Sequence, residues 1–215
     1  IGIDERLVTL FARSFPQASV HGVSRYGTGG KARVSDFDWL VGCPAVDFFV
    51  LEGSLPRFFR PTIESFPSNA NRLTPDPEPV EFWRHKIAGL GQGKTVGICW
   101  RSLLVNDERS SHIFDLELWR VLLERPETHF ISLQAGMTQQ EQHLFKERFG
   151  VDLTVFEELD LIEDLGGTVA IVSAVGAVVT TQTYMQWLAA AIGAPTWSIV
   201  RGNRENEWGF LGEKF

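Results

Sequence analysis

The stretch from Leu161 to Val200, LIEDLGGTVAIVSAVGAVVTTQTYMQWLAAAIGAPTWSIV, leaves the fewest alternatives open for the fold. Leu165, Val169, Val172 and Val175 recur at helical spacing behind Asp164, which lies in the opening turn, and Gly176 ends the helix. Ala177 to Thr180 reads as a short apolar strand. Thr181, Gln182 and Thr183 follow as a polar turn, with a hydroxyl placed to cap a second helix from Tyr184 to Ile192. That helix stops at Gly193 with Pro195 just beyond, and Thr196 to Val200 is the next buried strand. A strand that runs through a polar turn into a helix presents backbone N–H groups and the positive end of a dipole at the carboxyl edge of the sheet. That edge is where an α/β sheet holds an anion.

The residues before this stretch extend the same pattern. Thr95 to Trp100, TVGICW, has the uninterrupted apolar character of a strand covered on both faces. After it come a polar loop from Arg101 to His112, a helix from Asp115 to Leu123, a strand from His129 to Leu133 and a helix from Gln139 to Phe149 closing at Gly150. Alternating strands and helices predict an α/β fold, a Rossmann-like parallel sheet flanked by helices with right-handed crossovers. Toward the amino terminus, Arg6 to Phe15 predicts one amphipathic helix ended by Pro16, and Gln17 to Val23 a strand. Phe37 to Leu51 predicts a short buried strand or an irregular core, and Val80 to Leu90 a helix with Phe82, Trp83 and Ile87 on its apolar face. Gly89, Gly91 and Gly93 place a boundary between two lobes, residues 1–92 and 93–215.

Composition bears on partners. The net charge of -7 argues against nonspecific binding to nucleic acid or to an anionic membrane, and no apolar run is long enough for membrane insertion. Cys43 and Cys99 are too few for a disulfide framework or a cysteine-rich metal site, and Cys99 in its strand reads as a small apolar residue. No histidine pairs with another at metal-ligand spacing, so no metal site is expected. These features suit a cytoplasmic protein.

In such a sheet the informative residues lie just past the strand ends. They are Trp100, Arg101 and Ser102 after the first strand, Gln134 to Gly136 after the second, and Thr181, Gln182 and Thr183 with Tyr184 after Ala177 to Thr180. Arg101 and Arg109 bound a loop long enough to fold back, and a guanidinium fork suits a diphosphate. The same arginines also have Asp107 and Glu108 as neighbours to pair with. Gln134 offers an amide that reads a base or simply caps a strand end, and Thr181 to Tyr184 serve equally as a plain helix cap.

The runs VGICWRS, HFISLQAG and DLGGTVAIVSAVGAVVTTQTYMQWLAAAIGAPTW together resemble the carboxy-terminal lobe of bacterial heptosyltransferase-like and tetratricopeptide-linked glycosyltransferases, distant relatives of the protein O-linked N-acetylglucosaminyltransferases. DERLVTLFARSFPQASV and GSLPRFFRP resemble the linker and the end of the amino-terminal lobe in the tetratricopeptide-linked group. The resemblance implies a B-type, two-lobed fold: residues 1–92 a partial acceptor-side lobe, residues 93–215 the lobe that holds a nucleotide-sugar. It implies transfer of the sugar to a protein or glycan hydroxyl, with inversion, and without a metal or other cofactor because helix N-termini and basic side chains neutralise the leaving diphosphate. On the same resemblance Trp100, Arg101 and Ser102 match the first donor loop, Arg109 a basic position before the next helix, Gln134 the base-side loop, and Thr181 to Tyr184 the diphosphate turn. Where relatives carry an acid and a histidine in that turn and helix, this chain has Gln182 and Trp187. A backbone anion site survives both changes. A charge-dependent contact does not, which leaves a catalytically inactive binding or scaffold module as the alternative.

Overall fold

The computed structural model describes residues 1–23, 25–26, 34–35, 37–43, 45–66, 73–103 and 116–200. The chain divides into two compact units, Ile1–Leu73 and Thr74–Phe215. In the first, strand β1 (Gly2–Asp4) pairs in parallel with β2 (His21–Val23) across the helical turn Glu5–Leu7 and the helix Val8–Ser14. Asp4 caps that turn by accepting the Arg6 backbone N–H at 3.1 Å. The predicted helix and strand are thus present in shorter form, with β1 added ahead of them. A short antiparallel pair, β3 (Arg25–Tyr26) and β4 (Val34–Ser35), follows.

Phe37 to Leu51 departs from expectation. Its described residues hold a 3-10 turn at Asp38–Leu40 and no strand, and Phe48 and Phe49 are 91% and 76% exposed. Gly42, at φ 93, breaks the run before it can extend. Apolar composition alone does not bury a segment that has no ladder to join.

The second unit is a four-stranded parallel sheet of β5 (Lys94–Cys99), β6 (Thr128–Ser132), β7 (Ala177–Thr181) and β8 (Thr196–Ile199), in the order β6-β5-β7-β8. Thr154 adds one parallel bridge outside β6, exchanging backbone hydrogen bonds with Phe130 and Ser132 at 2.9 Å. The sheet runs Thr154, β6, β5, β7, β8. Chain order therefore reverses between β5 and β7, the switch point where doubly wound sheets take ligands.

Side-chain alternation divides the core between the two faces. Ile98, Trp100, Phe130 and Val179 pack with Trp119, Leu123, Phe145 and Leu153 beneath the helices Arg120–Leu123 and Gln139–Phe149. Cys99, Ile131, Leu133 and Val178 pack on the other face with the helices Pro77–Ala88, Leu165–Ala174 and Tyr184–Ala191. The helices change face where the strand order reverses, as right-handed crossovers require.

The compact units divide between Leu73 and Thr74, ahead of the glycines at 89 to 93. Helix Pro77–Ala88 buries Val80, Trp83 and Ile87 in the sheet's own core, and burial of that size holds it to the second unit. Gly93, at φ 138, is instead a tight turn into β5, where a Cβ would lie 2.8 Å from the Glu127 carbonyl. Among the described residues, no helix is long and apolar enough to cross a membrane.

Candidate donor-binding crevice

Three strand ends meet at the carboxyl edge of the sheet. Cys99, the last residue of β5, registers against Thr180 of β7, and its thiol lies 3.6 Å from Thr183 Oγ1 and 3.7 Å from Gln134 Oε1. The turns predicted to converge therefore do so around one buried thiol. Burial pushes the Cys99 pKa up, against the opposing hydrogen bonds of Thr183 and Thr180, so it stays a neutral, apolar filler as its strand position suggested.

The turn after β6 is closed by internal chemistry. Gln134 is 3% exposed, and its Oε1 accepts the backbone N–H groups of Trp100 at 3.1 Å and Arg101 at 3.0 Å. Its amide nitrogen donates to the Ala135 carbonyl at 2.9 Å. Gln134 thus clamps the end of β5 to the end of β6. Thr138 then opens helix Gln139–Phe149 with a reciprocal cap: Thr138 Oγ1 accepts the Glu141 N–H, and the Glu141 carboxylate accepts the Thr138 N–H at 2.8 Å.

That carboxylate has further donors. Arg101 Nε reaches Glu141 Oε1 at 2.6 Å and Arg101 Nη2 reaches Oε2 at 2.8 Å, a two-point pair with side chains 18% and 19% exposed. Trp100 Nε1 adds a contact at 3.3 Å, and Arg101 Nη2 also donates to the Gly136 carbonyl at 2.9 Å. Burial by itself would raise the Glu141 pKa. The Arg101 guanidinium and the Thr138 donors overcome it and hold the carboxyl down at about 2, against an ordinary 4.5. The Trp100 ring is 3% exposed and packs on Phe145 at 4.7 Å, so it belongs to the core. Ser102 is half-buried beside this cluster, its carbonyl accepting from Arg101 Nη1 at 3.3 Å.

The turn after β7 is built differently. Thr183 caps helix Tyr184–Ala191 by accepting the Met185 N–H at 3.3 Å, and no acidic residue stands in the first turn. Thr181, the last residue of β7, is fully buried, and among the described residues its Oγ1 has no hydrogen-bond partner. Gln182 is half-buried at the turn. Tyr184 is 42% exposed, and its hydroxyl donates to the Leu161 carbonyl at 2.8 Å.

Beside β6 lies a cavity of about 390 Å³, lined by Ser132, Gln134 to Met137, Val155 to Ile162 and Ile171. Its apolar lining includes Met137, Phe156, Leu159 and Ile171. Glu157, Glu158 and Asp160 are the charged groups of its lining, with no basic residue among them.

The structure brings Trp100, Arg101, Ser102, Gln134 and Thr181 to Tyr184 to one sheet edge, while Arg109 lies outside the described residues. Two features were missed in the sequence. Glu141 was legible as the fourth residue of T-x-x-E, a capping signature, but nothing local marks it as the partner of Arg101. The cavity wall from Val155 to Ile162 has no periodicity to announce it.

No family model matches this chain. It is 30% identical over 216 residues to Protein FlbA of Caulobacter vibrioides, a match that takes in 100% of this chain and 35% of that protein. The chain thus spans about a third of the length of that relative. Among solved structures it is similar to E. coli heptosyltransferase WaaC with ADP-2-deoxy-2-fluoro heptose, at a TM-score of 0.39 and 16% identity, over 61% of this chain and 38% of that one.

Proposed function

We propose that this chain is the donor-binding region of a glycosyltransferase that moves a sugar from a nucleotide-sugar to a protein or glycan hydroxyl. One observation carries the reading: the helix after β7 begins at the carboxyl edge with no carboxylate in its first turn, and the fully buried hydroxyl of Thr181, the last residue of β7, has no hydrogen-bond partner among the described residues. A helix start of that kind favours an external anion. The donor diphosphate is placed on the turn Thr181 to Thr183 and the first turn of helix Tyr184–Ala191, and the nucleoside in the adjoining cavity, whose acidic and apolar lining suits an uncharged group with hydroxyl donors. Arg101 is already neutralised by Glu141, so it is assigned to shaping the turn after β5. Arg109, in the same connection, remains the basic candidate for the diphosphate. No metal is invoked, since backbone donors oriented before the reaction stabilise a leaving diphosphate. In this reading Ile1–Leu73 supplies part of an acceptor-side lobe.

Calorimetric titration with UDP-, GDP-, ADP- and CMP-linked sugars is expected to give binding to at least one, weakened by substitution of Thr181. Silence across all of them would sink the proposal. A second reading, a binding module without transfer, is favoured by Gln182 and Trp187 standing in this chain where the glycosyltransferases that it resembles carry an acid and a histidine. Sugar transfer by the parent protein, assayed with the donor that binds, would exclude it.

A further inference from the structure

The cavity wall between Phe156 and Leu161 is tied at both ends to other elements. At its start, the Phe156 ring meets Trp83 of helix Pro77–Ala88 at 5.0 Å, and Glu158 is ion-paired with Lys86 of the same helix. The Lys86 ammonium also sits over the Trp83 and Phe156 rings, 5.4 and 5.5 Å from their centroids. In its middle, Asp160 Oδ1 accepts the N–H groups of Ile162 at 2.8 Å and Glu163 at 3.0 Å, which fixes the local turn. At its end, the Leu161 carbonyl accepts the Tyr184 hydroxyl. Tyr184 is the first residue of helix Tyr184–Ala191 and is not among the described residues lining the cavity.

We infer that Tyr184 is a positioning residue: through its hydrogen bond to Leu161 it sets the wall of the cavity relative to the start of helix Tyr184–Ala191, and so holds a nucleoside subsite in register with a diphosphate subsite. The inference rests on the donor-site reading given above. A tyrosine at the first position of this helix reaches 23 residues back along the chain, and its ring supplies a rigid arm of two torsions. A phenolic hydroxyl directed at a backbone carbonyl acts on the wall and leaves the phosphate to the helix. The residue matched to the diphosphate turn therefore works on the other half of the ligand.

The variant Tyr184→Phe, in the full chain, keeps the ring and deletes the tie. Uridine, adenosine, guanosine and cytidine are titrated against both proteins alongside inorganic pyrophosphate, and amide hydrogen exchange is followed over residues 157–163. The expected result is an affinity for the bound nucleoside about 5-fold weaker, the worth of one net hydrogen bond, with pyrophosphate affinity unchanged and exchange over 157–163 faster. Weakened pyrophosphate binding with unchanged nucleoside binding would make Tyr184 a direct phosphate ligand and overturn the inference. So would unchanged exchange over 157–163, or unchanged affinities with only a lower melting temperature. A wild-type chain that binds nucleotide-sugars but no nucleoside overturns this inference and leaves the donor-site reading standing. A chain that binds neither overturns both.

Discussion

Two strand-to-helix turns lie at the carboxyl edge of this sheet on either side of β5, one after β6 and one after β7, and they solve the same electrostatic problem in opposite ways. Each helix start concentrates partial positive charge. After β6, Glu141 supplies a carboxylate from within the helix, and Arg101, Trp100 and Thr138 saturate it. After β7, Thr183 supplies only a neutral cap, and the buried Thr181 hydroxyl has no partner among the described residues. The first turn is a finished structural joint. The second is capped by a neutral hydroxyl with no acidic residue in its first turn, and on that contrast the donor-site proposal rests.

The comparison breaks most visibly at Glu141. Glu141→Gln removes the charge that Arg101 faces while leaving the guanidinium half-enclosed, and unfolding in urea should show a loss of about 2 to 3 kcal/mol, short of the ~3–5 kcal/mol of a fully buried pair because both side chains keep some solvent. Arg101→Ala should cost a similar amount, and the double variant little more than either alone, since the two act as a unit. Additive losses would mean the pair is not the joint described here.

Acid should dissect the same joint. The Glu141 carboxyl is held at about 2 when folded against an ordinary 4.5. The folded chain thus binds this proton more weakly than the unfolded chain does. The carboxylate's contribution is complete above about 4.5 and is lost as pH falls toward about 2. Denaturation of wild type and Glu141→Gln across that window should show their stability difference shrinking with acidification. A constant difference would assign the effect to shape instead of charge.

The turn after β7 should respond more weakly and more selectively. Thr183→Ala removes a helix cap and should cost about 1 kcal/mol by the same denaturation measurement. Thr181→Val replaces a buried hydroxyl that has no partner among the described residues with a methyl of the same shape, and should leave stability unchanged or raise it by up to about 1 kcal/mol. Diphosphate affinity, followed by calorimetry, should fall in the same variant. A residue whose loss stabilises the empty protein and weakens the complex is one kept for binding. If Thr181→Val destabilises, its hydroxyl has a structural role and the contrast between the turns narrows.

Much of this was legible in the sequence where periodicity and end signals agree. Helix Gln139–Phe149 has the limits its pattern predicts, with Gly150 at φ 67 closing it, and Asp164 and Thr183 cap the helices they precede. What stayed hidden depends on pairs distant in sequence. Residue type leaves Gln134 as a base reader or a strand-end cap, and the structure has it as the cap, its amide oxygen accepting two backbone donors 33 and 34 residues away. Arg101 has a diphosphate or the nearby Asp107 and Glu108 as its expected partners, and the carboxylate it meets is instead Glu141, 40 residues on. Residue type gave the chemistry each side chain is capable of, while the register of parallel strands decided which partner it met first. Phe37 to Leu51 failed for the converse reason, since an apolar run carries no information about whether a sheet edge is within reach.

The single bridge at Thr154 has a consequence for how this sheet behaves among its neighbours. A long outer strand would offer a row of donors and acceptors to any passing chain, the geometry by which sheets add foreign strands and grow into aggregates. Here the outermost rung beyond β6 is one residue long, and its two backbone hydrogen bonds are already spent on Phe130 and Ser132. The chain leaves that rung at once, so this margin of the sheet is too brief to template another.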